Sequence, residues 1–146
     1  MDDIDRRLLS ALRRNGRATY AELARLVGLS PPAVHERVGK LESSGVIIGY
    51  HAAVEPAALG KSASALIGVF ITDSADIAAI EAGLESMPAV EDAWFVAGEE
   101  TFVVKVSAPD VTGLEQVIRK LNAIPGIART RTTVVLSTKF EGRLRG

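Results

Sequence analysis

The sequence predicts an α+β chain in two parts. The first is an N-terminal three-helix unit, winged or plain, built around a helix-turn-helix. The second is a C-terminal ferredoxin-like βαββαβ unit. Three observations predict this. Two short apolar-periodic runs meet at Gly28 and a Ser-Pro-Pro start. The second half of the chain repeats itself at an offset of 37 residues, so that Leu66 aligns with Val103. Basic residues concentrate in the first third. The boundaries read as residues 1–50 for the head, 51–62 for a linker strand and 63–146 for the body.

The bulk properties set limits. A chain of 146 residues, 47% of them hydrophobic, fits one domain or two small ones with a real core. No apolar run approaches the roughly 18–20 residues of a membrane helix. The start, "MDDIDRRLL", is acidic and has no continuous apolar stretch, so no secretory signal is expected there. There is no cysteine, which excludes disulfides, thiolate zinc sites and cysteine nucleophiles and fits a cytoplasmic location. Two histidines, His35 and His51, are too few for a histidine-rich metal site, and no cofactor is expected.

The head begins with "DDIDRRLLSALRRNG". Ile4, Leu8, Leu9 and Leu12 share one helical face. Asp2 or Asp3 caps the start, Arg13 and Arg14 suit the negative end of the helix dipole, and Gly16 offers a left-handed stop. The second helix opens with Thr19 and Glu22 in capping-box spacing, and Tyr20, Leu23, Ala24 and Val27 form its inner face. Gly28 supplies the positive φ that ends it. Ser30 then caps the third helix, with Pro31 at the first helical position, where its missing N–H costs nothing, and Pro32 within the first turn. Val34, Val38 and Leu41 give that helix its buried stripe.

The spacing Ala24, Gly28, Val34 is that of a helix-turn-helix, whose second helix presents its outer face to the major groove of duplex DNA. The DNA-reading candidates are therefore Ser30, Pro32, Ala33, His35, Glu36 and Lys40, with Arg37 at the flank. From Arg6 to Tyr50 there are eight basic and three acidic residues, a net of +5, whereas from His51 onward the net is −3. A basic head on a mildly acidic body directs a polyanion to the head alone. After Gly45, "VIIGYHAAV" is β-branched and half-alternating and reads as a strand, either a wing or a linker.

In the body, "ALIGVFITDSADIAAIEAGLESMPAVEDAW" aligns with "FVVKVSAPDVTGLEQVIRKLNAIPGIARTR". Each copy reads as strand, acidic turn, amphipathic helix, proline turn, strand. In tandem they make the ferredoxin-like β-α-β-β-α-β order. Positions 77, 80 and 84, and 114, 117, 118 and 121, mark helix faces that cover one side of a four-stranded antiparallel sheet. The other side is left open. "ALIGVFI" is apolar on both sides, so that open face is expected to be apolar and to hold a homodimer, with Val69 or Val104 as candidates to point outward. The run "VAGEETF" between the second and third strands reads by itself as an acidic hairpin turn.

Together these parts resemble the Lrp/AsnC, or feast/famine, transcriptional regulators. The resemblance rests on "DDIDRRLLSALRRNGRAT", "ELARLVGLSPPAVHERVGKLESSGVIIGYHA", "VAGEETFVVKV" and "LNAIPGIARTRTTVVL", nearly the whole chain. It implies double-stranded DNA as partner, homodimers through the body that assemble to octamers, and an amino acid or related small effector bound between dimers. It places effector candidates at Gly98, Glu99, Glu100, Thr101 and, on the last strand, Thr133. Many members carry aspartate where this chain has Thr101, so the ligand preference is expected to differ. The same architecture also occurs in enzymes, the sirohaem decarboxylases, which use histidines of the body. Here His51 lies in the linker and the body has no other histidine, which disfavours that alternative.

Overall fold

The computed structural model describes residues 1–142. Residues 143–146, which the sequence reading includes in the body, lie outside the described residues. Two compact units are present, Met1–Ala53 together with residues 140–142, and Val54–Lys139.

The first unit holds α1 (Asp3–Arg14), α2 (Tyr20–Val27) and α3 (Pro31–Ser43). Asp2 is the N-cap of α1, and with Asp5 it forms a reciprocal capping box at 2.9 and 3.0 Å. Thr19 and Glu22 do the same for α2. Gly28 ends α2 in the left-handed region, with φ 76° and ψ 34°, and its N–H closes on the Ala24 carbonyl. Two residues later the Ser30 hydroxyl accepts from the Ala33 N–H, and α3 begins. Leu8, Leu23, Ala24, Val27, Val34 and Val38 form the core where the three helices meet. Two sequence expectations fail here. Helix α1 ends at an extended Asn15, so Gly16 supplies no left-handed stop. Tyr20 is exposed and stands outside the core.

No strand forms between residues 46 and 62. The expected wing or linker strand is an extended segment followed by a single 3₁₀ turn, Pro56–Leu59. β-branched residues favour a strand but do not provide the neighbour that a ladder needs. Tyr50 is tied down instead. Its hydroxyl donates to Glu42 at 2.8 Å, and partial burial together with that carboxylate pushes the phenol up to about 12.

The second unit contains β1 (Ala63–Ile71), α4 (Ile77–Glu85), β2 (Val90–Phe95), β3 (Phe102–Ala108), α5 (Val111–Asn122) and β4 (Ile127–Val135). All pairings are antiparallel and the spatial order is β2-β3-β1-β4. Asp76 and Asp110 cap α4 and α5, which explains the acidic turn in each copy of the repeat. Ala65, Ile67, Val69, Val104 and Val106 point to the helices and pack on Ile80, Leu84, Leu114, Val117 and Leu121. Ile77 lies outside this core, exposed.

The register assigns the other face. Ser64, Leu66, Gly68 and Phe70 of β1 alternate away from the helices, as do Val103 and Lys105 of β3, Trp94 of β2, and Arg129, Arg131 and Thr133 of β4. Val69 and Val104 are therefore core residues, and Leu66, Phe70, Trp94 and Val103 are outward apolar positions. The face is mixed and not uniformly apolar. Across it, Arg129 lies 3.6 Å above the Phe70 ring and Arg131 lies 5.9 Å from it.

Candidate functional site

Helix α3 presents one exposed strip and buries the opposite one. Pro32, His35, Glu36 and Lys40 are exposed and Ala33 is half-buried, while Val34, Val38 and Leu41 anchor the helix from behind. Ser30 serves the strip as its N-cap. The imidazole of His35 meets the edge of Tyr20, with ring centres 4.9 Å apart and planes at 72°. Such an edge contact restricts an otherwise freely rotating ring. Tyr20 is thus a neighbour of the reading strip that the apolar pattern assigned to the core.

The charges on α3 are already partnered. Lys40 bonds Glu36 one turn away at 2.8 Å. Arg37 reaches Asp2 at 2.7 Å and Asp5 at 2.8 Å, and Asp5 is largely shielded. Arg37 flanks the exposed strip, and its guanidinium is also a strut between α3 and the start of α1. The Asp5 backbone N–H and then Arg37 hold the Asp2 carboxyl below its ordinary 3.8. The two carboxylates hold Arg37 firmly protonated. Asp2 therefore caps α1 and braces α3 at once.

In the body, residues 96–101 join β2 to β3. The Val96 N–H bonds the Thr101 carbonyl at 3.0 Å, and the Thr101 N–H extends the ladder to Val69 at 2.9 Å. Glu99 is exposed. Glu100 folds back over β1, where its side chain is only 15% exposed and pairs with Arg131 of β4. Gly68 makes this possible. A Cβ there would stand 2.6 Å from Glu100 Cγ, so even alanine would force the Glu100 side chain to shift. Glu99 also reaches Arg131, at 3.7 Å. Gly98 lies beside the Glu100 carboxylate and uses no left-handed φ. Thr133 shares the open face with Arg131, one rung along β4. The structure thus gathers Gly98, Glu99 and Glu100 about one guanidinium and leaves Thr133 at its edge. Gly68 and Arg131, which the sequence reading missed, complete the group.

A capped helix-turn-helix in one unit and a Glu100–Arg131 pair on the open sheet face of the other suit a DNA-binding regulator. Comparisons with known proteins agree. A family model described as the AsnC-type helix-turn-helix domain matches residues 1–42, and one described as the Lrp/AsnC ligand binding domain matches residues 64–144. The chain belongs to the Lrp/AsnC family of transcriptional regulators. It is 39% identical over 143 residues to the HTH-type transcriptional regulator LrpA of Mycobacterium tuberculosis, covering 98% of this chain and 95% of the relative. It is 36% identical over 137 residues to the regulatory protein AsnC of Escherichia coli K12, covering 93% and 90%. Among solved structures, a feast or famine regulatory protein from M. tuberculosis complexed with L-methionine superposes with a TM-score of 0.93 at 39% identity, covering 99% of this chain and 97% of that one. These relatives are transcriptional regulators, and the decarboxylase alternative finds no support among them.

The strut has a pH consequence. The Asp2 carboxyl, ordinarily 3.8, and the Glu22 carboxyl, ordinarily 4.5, are both lower in the folded head, Glu22 chiefly through the Thr19 N–H. A depressed carboxyl stabilises the fold above its unfolded value, and the contribution is lost as pH falls through the folded value. The far-UV helical melt of the head should hold steady down to about pH 5 and then fall steadily on further acidification. Asp2→Asn keeps a good cap but drops the ion pair, so it should lose part of that acid sensitivity. A melting temperature indifferent to acid in both proteins would refute the strut.

Proposed function

We propose that this chain is a cytoplasmic, sequence-specific regulator that reads duplex DNA through α3 and whose body takes an amino-acid effector at the Gly98–Thr101 loop. It acts as a homodimer closed across the open sheet face and assembles further, to octamers. The observation that carries the DNA reading is the strip Pro32, Ala33, His35, Glu36 and Lys40, held outward by a buried Val34-Val38-Leu41 seam. Full-length protein on its own promoter duplex should bind with a steep salt dependence. His35→Ala should narrow the preference for that duplex over a scrambled one by about 1–3 kcal/mol, the worth of a good base contact. No salt-dependent shift on promoter DNA would defeat the reading.

The effector reading rests on the Glu100–Arg131 pair. A zwitterionic α-amino acid carries one charge of each sign, so it can enter the pair with its ammonium to Glu100 or Glu99 and its carboxylate to Arg131. The L-methionine complex of the related M. tuberculosis protein supports this class of ligand. Thermal shift with the twenty amino acids should reveal the ligand by stabilisation. Calorimetry should then find Gly68→Ala and Glu100→Ala weakened roughly tenfold or more, a difference of about 1.4 kcal/mol. If both bind as wild type does, the effector sits elsewhere.

Leu66, Trp94 and Val103 supply the apolar part of the proposed dimer face. Sedimentation at micromolar concentration should show dimers and larger species, and no monomer. Leu66→Asp would bury an unpaired charge at a cost of several kcal/mol and should release monomer. A wild type that sediments as a monomer would end this proposal.

A further inference from the structure

Between Met1 and Tyr50 there are eight basic and six acidic residues, so the head as a whole is only weakly positive. Most of its cations are engaged. Arg6 pairs with Asp3 at 2.8 Å, Arg7 donates to the Leu26 carbonyl, and Arg25 lies in the field of Glu22. Arg37 and Lys40 are held by Asp2, Asp5 and Glu36. Among the described residues, Arg13, Arg14 and Arg17 form no ion pair, and all three are exposed.

These three arginines occupy one corner. Arg13 and Arg14 close the last turn of α1, and Arg17 lies in the connection to α2. The corner is ordered by its own hydrogen bonds. Asn15 N–H bonds the Ala11 carbonyl at 2.9 Å, Arg17 N–H bonds the Asn15 side chain at 3.0 Å, and Ala18 N–H bonds the Asn15 carbonyl at 3.1 Å. Its position follows from Tyr20, whose ring touches His35 on the reading strip of α3. Arg17 is three residues from Tyr20, at most roughly 10 Å of chain.

We infer that the α1–α2 corner is a phosphate-binding surface for the DNA backbone beside the groove that α3 enters. Arg17 lies nearest the groove, and Arg13 and Arg14 continue along the strand. The guanidinium fork suits a phosphate, and these three exposed arginines need break no ion pair to reach one. The assignment rests on the reading that the head binds duplex DNA. It moves the main electrostatic contact off α3, where Arg37 braces the helix and Lys40 shares its charge with Glu36.

The test is fluorescence anisotropy of the full chain on its promoter duplex and on a scrambled duplex, across a salt series. Arg17→Ala should lower the log–log salt slope by about 0.9 per protomer engaged, and the double variant Arg13→Ala/Arg14→Ala by up to about 1.8. Both should keep the wild-type ratio of promoter to scrambled affinity, since phosphate contacts carry no base information. Arg17→Lys should keep the slope, which shows that charge and not packing is being read. Melting curves matching wild type confirm that the exposed substitutions leave the fold alone. Variants that keep the full slope, or that lose promoter preference with the slope unchanged, overturn the corner. A wild type that binds neither duplex overturns the functional reading itself, and the corner with it.

Discussion

One residue in a left-handed conformation sets the geometry of the head. At Gly28 the chain must stop one helix and aim the next steeply across it, and at φ 76° a side chain would be strained. Once that turn is made, Ser30 has its place as a cap, and the prolines occupy the only part of a helix that tolerates them. Val34 then meets Leu23, Ala24 and Leu8. The exposed strip of α3 is what remains after those contacts are satisfied. The body has an analogous constraint of supply. The chain provides two helices for a four-stranded sheet, so one face is covered and the other is left with mixed chemistry.

The features legible in the sequence are those whose partners lie within a few residues. Both capping boxes, the Gly28 stop and the Ser30 cap are written in short spacings, and the structure reproduces them. The side-chain pairs that the sequence does not show share a cause. Arg37 finds Asp2 and Asp5 across more than thirty positions, and Glu100 finds Gly68 and Arg131 over a similar span. Helical and strand periodicity carries no information on pairs that the tertiary fold creates. Tyr20 was misread because its position in α2 suits a core residue, whereas His35 takes it at the surface. The "VIIGYHAAV" stretch has the composition of a strand but no adjacent strand in this chain. The outward positions on the sheet needed the register, since a strand apolar on both sides does not reveal which side faces the helices.

Net charge and available charge are different quantities. A window opened at Arg6 makes the head look strongly basic because it leaves out Asp2, Asp3 and Asp5, the carboxylates that engage Arg6 and Arg37. The same distinction applies in the body. Glu99 and Glu100 make the loop look acidic, yet both reach the Arg131 guanidinium. The loop is therefore a paired group and not a free acidic patch.

The Tyr50–Glu42 hydrogen bond has a mechanical meaning. It ties the outgoing chain to the last turn of α3, while the Tyr50 ring rests against Gly16 at the far end of α1. A force on the chain beyond Ala53 therefore enters the head at two anchor points, one of them on the reading helix itself. The strut from Arg37 holds the middle of that helix against the start of α1. The helix is thus held at two places along its length, once to α1 and once to the outgoing chain.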